Sequence, residues 1–448
     1  MKKLSIHIIF SVSVLFLSSI AASEPLVPTG LCINNTNCSN IPQNSQGLFP
    51  GTNLKFRPGI VVWATQNEPP EDIEGRWQSL FNGERKTTYR PKGVYGGVYL
   101  QLSWKLFYKN HAVRPVNPED HKDPAYDWTK LDAVFNINAV QNEGALVALY
   151  PGEIGHTGQR SPNWLKNPPY SGLFYSYPSP KTVTAPKYYR YAGPDSGGNT
   201  AKNASPPIVE EIAYFHQALH DHLVETGNID KVMFVHLSEV FVSNPQLPED
   251  YSAIDLYHGV GLRNKLVASI WAESQIFVVP LSIVGPSRNT VWKYLDNPTV
   301  GMSFPDMKLS GSNHINSGDI RFTHPNGTYQ KDTRLLVQQT ENAGHRTHTY
   351  FARNVANPWG YSNVTKPQIA SHILWALSGK PKGKNRDSGL GQDGEDPPGI
   401  MPVHVVMVDW KTTWGKNNPT LQQWHDAIDT FGPPGTFAFP YLPDGYQP

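Results

Sequence analysis

Short apolar runs, each closed by polar or turn residues, alternate along this chain with stretches of helical period. The runs are Gly59–Trp63 (GIVVW), Gly97–Leu102 (GVYLQL), Ala145–Tyr150 (ALVALY), Val232–Leu237 (VMFVHL), Ile276–Ile283 (IFVVPLSI), Val300–Phe304 (VGMSF), Arg334–Gln339 (RLLVQQ) and Val403–Val408 (VHVVMV). Runs of this length and apolarity predict strands buried on both faces, as in parallel sheets. Between them, Trp128, Leu131, Val134, Phe135 and Ile137 share one helical face in Tyr126–Gly144, and Gly144 ends it. Ser205 is placed to cap a helix carrying Pro206 and Pro207 in its first turn, with Glu210 and Glu211 close behind, running to Gly227. Further helices are expected over about 254–274, 367–377 and 420–431. Those after the first and fifth strands read as short, and none is read after the sixth.

Eight strands alternating with helices predict an α/β fold, a (β/α)₈ TIM barrel with long loops on its C-terminal face. A doubly wound open sheet is the alternative, but no glycine-rich phosphate loop follows the first strand. No cofactor motif is read elsewhere.

Composition narrows the partner. Among 448 residues, 38 basic and 37 acidic side chains nearly cancel, so no basic stripe argues for nucleic acid. The 40 prolines and 37 glycines fit long ordered loops. Twelve tryptophans and 21 tyrosines suit a sugar-binding surface, since pyranose rings present apolar faces to aromatic rings, although a large core accounts for some of them. Residues 1–23 carry Lys2 and Lys3, an apolar segment from Ile6 to Ile20 and then small residues, the pattern of a secretory signal cleaved near Ser23. That segment is too short for a membrane span, and no later run is long enough for one. A segment 24–54 follows, in which Cys32 and Cys38 are expected to close a small disulfide loop contributing about 2 kcal/mol. Residues 55–448 form the expected single catalytic domain.

In such a barrel the chemistry lies at the C-terminal ends of the strands. The residues there are Asn67 and Glu68, Trp104, Glu153, Glu239, Asp306, Glu341 and Trp410. Glu239 and Glu341, after strands four and seven, would face each other across the mouth. Cleavage of a glycosidic bond needs one protonated carboxyl for the leaving oxygen and one carboxylate for the anomeric carbon. A lone strand-end glutamate would more simply be a structural ion-pair member; the pair favours catalysis. Asp306 and Glu153 read as substrate-positioning residues. Trp164 and Trp359, in Pro-rich loops, are expected as sugar platforms, and Trp271 as core. His345, Arg346, His348 and Arg353 are each read singly as solvated loop residues, but as a cluster they suit an anionic sugar substituent. His345 and His348 lack the further ligands a metal site needs, so no metal is expected.

This order of residues resembles glycoside hydrolase clan A, the TIM-barrel retaining hydrolases that include β-galactosidases, cellulases and agarases. The resemblance covers roughly residues 55–432 and includes YDWTKLDAVFNINAVQNEGALVALYPGEIG, similar to the clan's D-W-x-x-L-D helix and third strand. It implies Glu239 as acid/base, Glu341 as nucleophile and Trp410 as the aromatic beneath the sugar. The clan usually places Asn before the acid/base, where this chain has Ser238, whose hydroxyl reaches less far; Asn67-Glu68-Pro69 carries the clan-like tripeptide after the first strand instead. The resulting expectation is an exported retaining hydrolase of a polysaccharide, endo-acting on an anionic or algal galactan. Ser238 keeps a non-catalytic carbohydrate-binding barrel as the rival reading.

Overall fold

The computed structural model describes residues 48–49, 52–81, 95–152, 161–170, 205–237, 253–280, 299–307 and 404–408, with the short strands 174–177, 198–201, 322–323, 329–330 and 351–355. Eight parallel strands make one sheet: β1 (Gly59–Thr65), β2 (Tyr95–Ser103), β3 (Leu146–Gly152), β4 (Val232–Leu237), β5 (Val278–Pro280), β6 (Met302–Met307), β7 (Phe351–Val355) and β8 (Val405–Val408). Their order across the sheet is β5-β4-β3-β2-β1-β8-β7-β6. Chain order thus runs around the sheet without a skip. Its two edges meet where Val300, just before β6, bridges Val278 in parallel, with Gly301 N–H donating to the Val278 carbonyl at 2.8 Å.

β1 to β5 and β8 are chiefly apolar because both of their faces are buried, and the two faces feed different cores. Ile60, Val62 and Ala64 of β1, Val98, Leu100 and Leu102 of β2, and Val235 and Leu237 of β4 pack on the helix side. Val61, Tyr99, Ala148, Tyr150, Phe234, Val279 and Met407 pack inside the curl. Phe49, Leu54 and Phe56 join this inner core, with Phe49 set edge-on to Phe277 at 5.3 Å and to His404 at 5.2 Å. The segment just ahead of β1 therefore packs with the residues that open β5 and β8.

The helices follow local signals. α1 (Pro70–Phe81) starts on Pro70 and carries Glu71 and Asp72 in its first turn, where acidic side chains favour the helix dipole. The stretch expected as one helix over Tyr126–Gly144 is two, α2 (Thr129–Phe135) and α3 (Asn138–Asn142), because Ile137 takes an extended conformation between them. Gly144 follows with φ +75°, the left-handed value that suits a glycine. α4 (Pro206–Glu225) begins where expected, but the Ser205 side chain makes no capping bond. Its carbonyl accepts from Ile208 and Val209 N–H instead. Gly227, φ +69°, ends that turn. α5 (Ala253–Ala272) lies between β4 and β5.

All the expected strands are observed within a few residues except the seventh. Its place in the sheet, between β6 and β8, is held by Phe351–Val355. Arg334–Gln339 lies outside the described residues, as do residues 1–47 with Cys32 and Cys38, and the helices expected over 367–377 and 420–431.

Candidate functional site

At the end of β1 the chain turns through Gln66-Asn67-Glu68 into α1. Glu68 is ion-paired to Arg76 of α1, whose side chain is 4% exposed. Arg76 also donates to the Trp63 carbonyl at 2.7 Å, and Glu68 accepts from the Thr65 N–H at 3.2 Å. Removing either partner would leave a charge without its counter-ion, so Glu68 is a clamp on the β1–α1 turn. Gln66 bridges to β2, its side-chain oxygen accepting from the Ser103 N–H at 3.2 Å and the Ser103 hydroxyl at 2.5 Å. These bonds hold the first two strand ends in register. Asn67 is exposed beside them. The tripeptide Asn67-Glu68-Pro69 is therefore a loop, as the sequence suggests.

Inside the curl, above Val61 and Ala148, the side chains become aromatic and polar. Trp63 of β1 sits opposite Tyr99 of β2, with ring centroids 5.2 Å apart and edge-on, and donates its indole N–H to the Gln101 side chain at 3.3 Å. Tyr150 of β3 stacks on Tyr99 at 5.8 Å. His236 of β4 completes the group, 5.6 Å from the Tyr99 ring and 5.0 Å from Tyr150. Its Nδ1 lies 2.5 Å from the Tyr99 hydroxyl. His236 is 4% exposed, and its Nε2 has no hydrogen-bond partner among the described residues. Burial, and secondarily the charge of Arg263, pushes the imidazole pKa from 6.5 down to about 3, so the ring is neutral at ordinary pH. The result is a neutral ring tilted between two phenols, with hydrogen-bonding groups at its edge.

The expected site residues are placed unevenly. Trp104 opens a 3₁₀ turn (Trp104–Phe107) directly after β2, yet it is fully buried on the helix side. Its indole donates to the Tyr108 hydroxyl at 2.9 Å and packs against Phe215 and Trp164. Trp164 is 4% exposed in the same cluster. Neither presents a ring face to a ligand, which corrects their reading as sugar contacts. Both follow strand ends, but their segments fold onto α4: Trp104 packs against Phe215, and Arg114, 6.0 Å from the Trp164 ring, is ion-paired to Glu211 at 2.8 Å. Trp271, expected in the core, is fully buried and donates to His216 Nδ1 at 3.1 Å.

Asp306 is the penultimate residue of β6, at its C-terminal end. The pairing of β6 with β7 shifts register between Arg353 and Val355, alongside this residue. Bulges of that kind concentrate at barrel rims and next to active sites, where they re-aim side chains. Arg353 lies within β7. Glu239, Glu341, Ser238, Glu153, His345, Arg346, His348, Trp359 and Trp410 lie outside the described residues.

His236, Tyr99, Tyr150 and Gln101 were not among the expected site residues. Their signal was phase: they alternate with the aliphatic positions that pack on the helices, while Trp104 was singled out by its place at a strand end.

No protein-family model matches the chain, and no curated protein matches it. Solved structures with a similar backbone include endo-glycoceramidase II from Rhodococcus sp., 12% identical, covering 88% of this chain and 77% of that one with TM-score 0.39. The glycoside hydrolase domain of PgaB (BpsB) from Bordetella bronchiseptica is 11% identical, covering 83% and 99% with TM-score 0.38. Morphinone reductase in complex with tetrahydroNAD is 12% identical, covering 90% and 98% with TM-score 0.36. The fold rests on the strand order and register of this chain itself.

Proposed function

We propose that the protein is an exported retaining glycoside hydrolase whose complete fold is a (β/α)₈ barrel, with its site at the C-terminal mouth. The observation that carries this reading is the sheet order, which gathers the ends of β1 to β4 and of β6 on one rim above Trp63, Tyr99, Tyr150 and His236. Glu239, two residues past the end of β4, protonates the glycosidic oxygen, and the leaving sugar departs as an alcohol. Glu341 attacks the anomeric carbon to form a glycosyl ester. Glu239, now a carboxylate, deprotonates the water that cleaves the ester, so the anomeric configuration is retained. The substrate is an extended polysaccharide cleaved internally, an anionic or algal galactan, with Trp359 and Trp410 as further platforms and Ser238 and His345 contacting the sugar. Residues 1–23 direct export.

A second assignment of the nucleophile follows from β7. Because Phe351–Val355 holds the seventh place, Glu341 precedes that strand, whereas Asp306 stands at the end of β6 beside a register shift. Asp306 is then the alternative partner of Glu239.

The test is hydrolysis of soluble β-galactan, sulfated galactan and β-glucan by the wild-type protein and by Glu239→Gln, Glu341→Gln and Asp306→Asn. Loss of the acid/base lowers turnover by about 10²–10⁴-fold. Sodium azide restores turnover of the nucleophile variant as a glycosyl azide of inverted configuration, and so tells Glu341 from Asp306. Full activity of Glu239→Gln, or no hydrolysis of any polysaccharide by the wild type, would sink the proposal.

A further inference from the structure

Inside the curl, His236 is a polar ring whose second nitrogen has no hydrogen-bond partner among the described residues. His236 Nδ1 faces the Tyr99 hydroxyl of β2 at 2.5 Å, so Nε2 lies on the edge of the ring turned away from that hydroxyl. That atom is buried. A buried donor with no acceptor is unfavourable, and this one lies in the inner layer, among Tyr150, Phe234 and Tyr99. A phenol is the stronger hydrogen-bond donor and an imidazole nitrogen the stronger acceptor, so Tyr99 donates to Nδ1. The proton of the neutral ring then sits on Nε2 and makes it a donor.

Taking the glycosidase reading as its basis, we infer that His236 Nε2 donates a hydrogen bond to a ring hydroxyl of the sugar bound at the mouth, with Tyr99 fixing the tautomer. An aliphatic residue at 236 would pack equally well between the phenols. A histidine there supplies a directed donor of no net charge. Sugars lacking that hydroxyl would leave Nε2 unpaired in the complex and bind less well.

Two substitutions separate the nitrogens. Asn places an amide near Nδ1 and keeps the Tyr99 partner, and Gln places its amide nitrogen near Nε2 and keeps the donor. In a Glu239→Gln background, which holds ligand without consuming it, titration calorimetry with tetrasaccharides of β-galactan, sulfated galactan and β-glucan gives the affinities. His236→Asn is expected to weaken the best-bound of these about tenfold, the worth of one neutral hydrogen bond, and His236→Gln about twofold or less. Should His236→Asn fail to fold, ¹⁵N-histidine spectra of the unsubstituted Glu239→Gln protein decide. The Nε2 signal, assigned by its loss in His236→Gln, shifts on saturation with that sugar. Unchanged affinity in folded His236→Asn, or an unmoved Nε2 signal at saturation, overturns the contact. If the wild type cleaves one of the polysaccharides while Nε2 stays unmoved, the contact alone falls. If none is cleaved and none binds, the glycosidase reading falls and the contact with it.

Discussion

A histidine in the middle of an apolar strand is a commitment by the sequence, because its neighbours Phe234, Val235 and Leu237 offer nothing to solvate a charge. The imidazole pKa of His236 falls from 6.5 to about 3, chiefly through burial. The sign of the linkage follows. Above pH 6.5 neither folded nor unfolded ring is protonated, and the stability that depends on a neutral ring is fully present. As pH falls from 6.5 toward 3 the unfolded chain takes up a proton that the folded one refuses, and that stability is lost. Urea unfolding at pH 7.0 and 4.5 should therefore show a loss for the wild type that is smaller in His236→Gln, which has nothing to titrate there. Equal losses would mean that the ring is hydrated in the fold. Residues of this kind are legible only by phase. The tryptophans show the converse: Trp104 and Trp164 look like platforms by loop position, yet burial in the cluster of Tyr108 and Phe215 decides their role.

At the scale of elements, the strands were legible because a parallel strand buried on both faces must be an unbroken apolar run. Why two glycines interrupt β2 was not legible, since the reason lies in its neighbours. A Cβ on Gly97 would stand 2.5 Å from the Leu146 carbonyl oxygen of β3 and 3.0 Å from a methyl of Val61 in β1. The carbonyl belongs to the ladder and cannot move without opening it. On α1, by contrast, a Cβ on Gly75 meets nothing within 4 Å. The same substitution thus has opposite signs at the two places. Gly97→Ala should destabilise by about 1–3 kcal/mol through overpacking. Gly75→Ala should stabilise by about 0.5–1 kcal/mol through helix propensity and a smaller entropy loss on folding. Denaturant midpoints of both variants check this, and a Gly97→Ala protein as stable as wild type would show that β2 and β3 are not held at this spacing. The split of the 126–144 helix at Ile137 was hidden for a similar reason, since its apolar spacing is helical throughout and only the backbone turn breaks it.

For the whole molecule, one strand decides how the catalytic groups are arranged. Arg334–Gln339 holds three adjacent aliphatic residues, Leu335 to Val337, and a reading by such runs chooses it as the seventh strand, which sets Glu341 at the C-terminal rim opposite Glu239. The sheet instead pairs Phe351–Val355 with both neighbours, Ala352 to Ser303 on one side and to Val405 on the other. A strand with Arg353 and Asn354 at its centre is poor by the criterion of apolar runs, but it sits between β6 and β8, where ladder bonds on both sides satisfy the backbone whatever the side chains are. The difference is measurable without substrate. Amides of Ala352 to Val355, bonded within the ladder, should exchange with deuterium orders of magnitude more slowly than freely hydrated amides, because interior strands open only in large cooperative units. Peptide-resolved exchange over minutes to hours reads both segments in one experiment. Slow exchange at 351–355 alone fixes β7 there, moves Glu341 ahead of the strand and makes Asp306 the better partner for Glu239. Slow exchange at 334–339 with fast exchange at 351–355 would return Glu341 to the rim, and the azide rescue expected of Glu341→Gln should then appear.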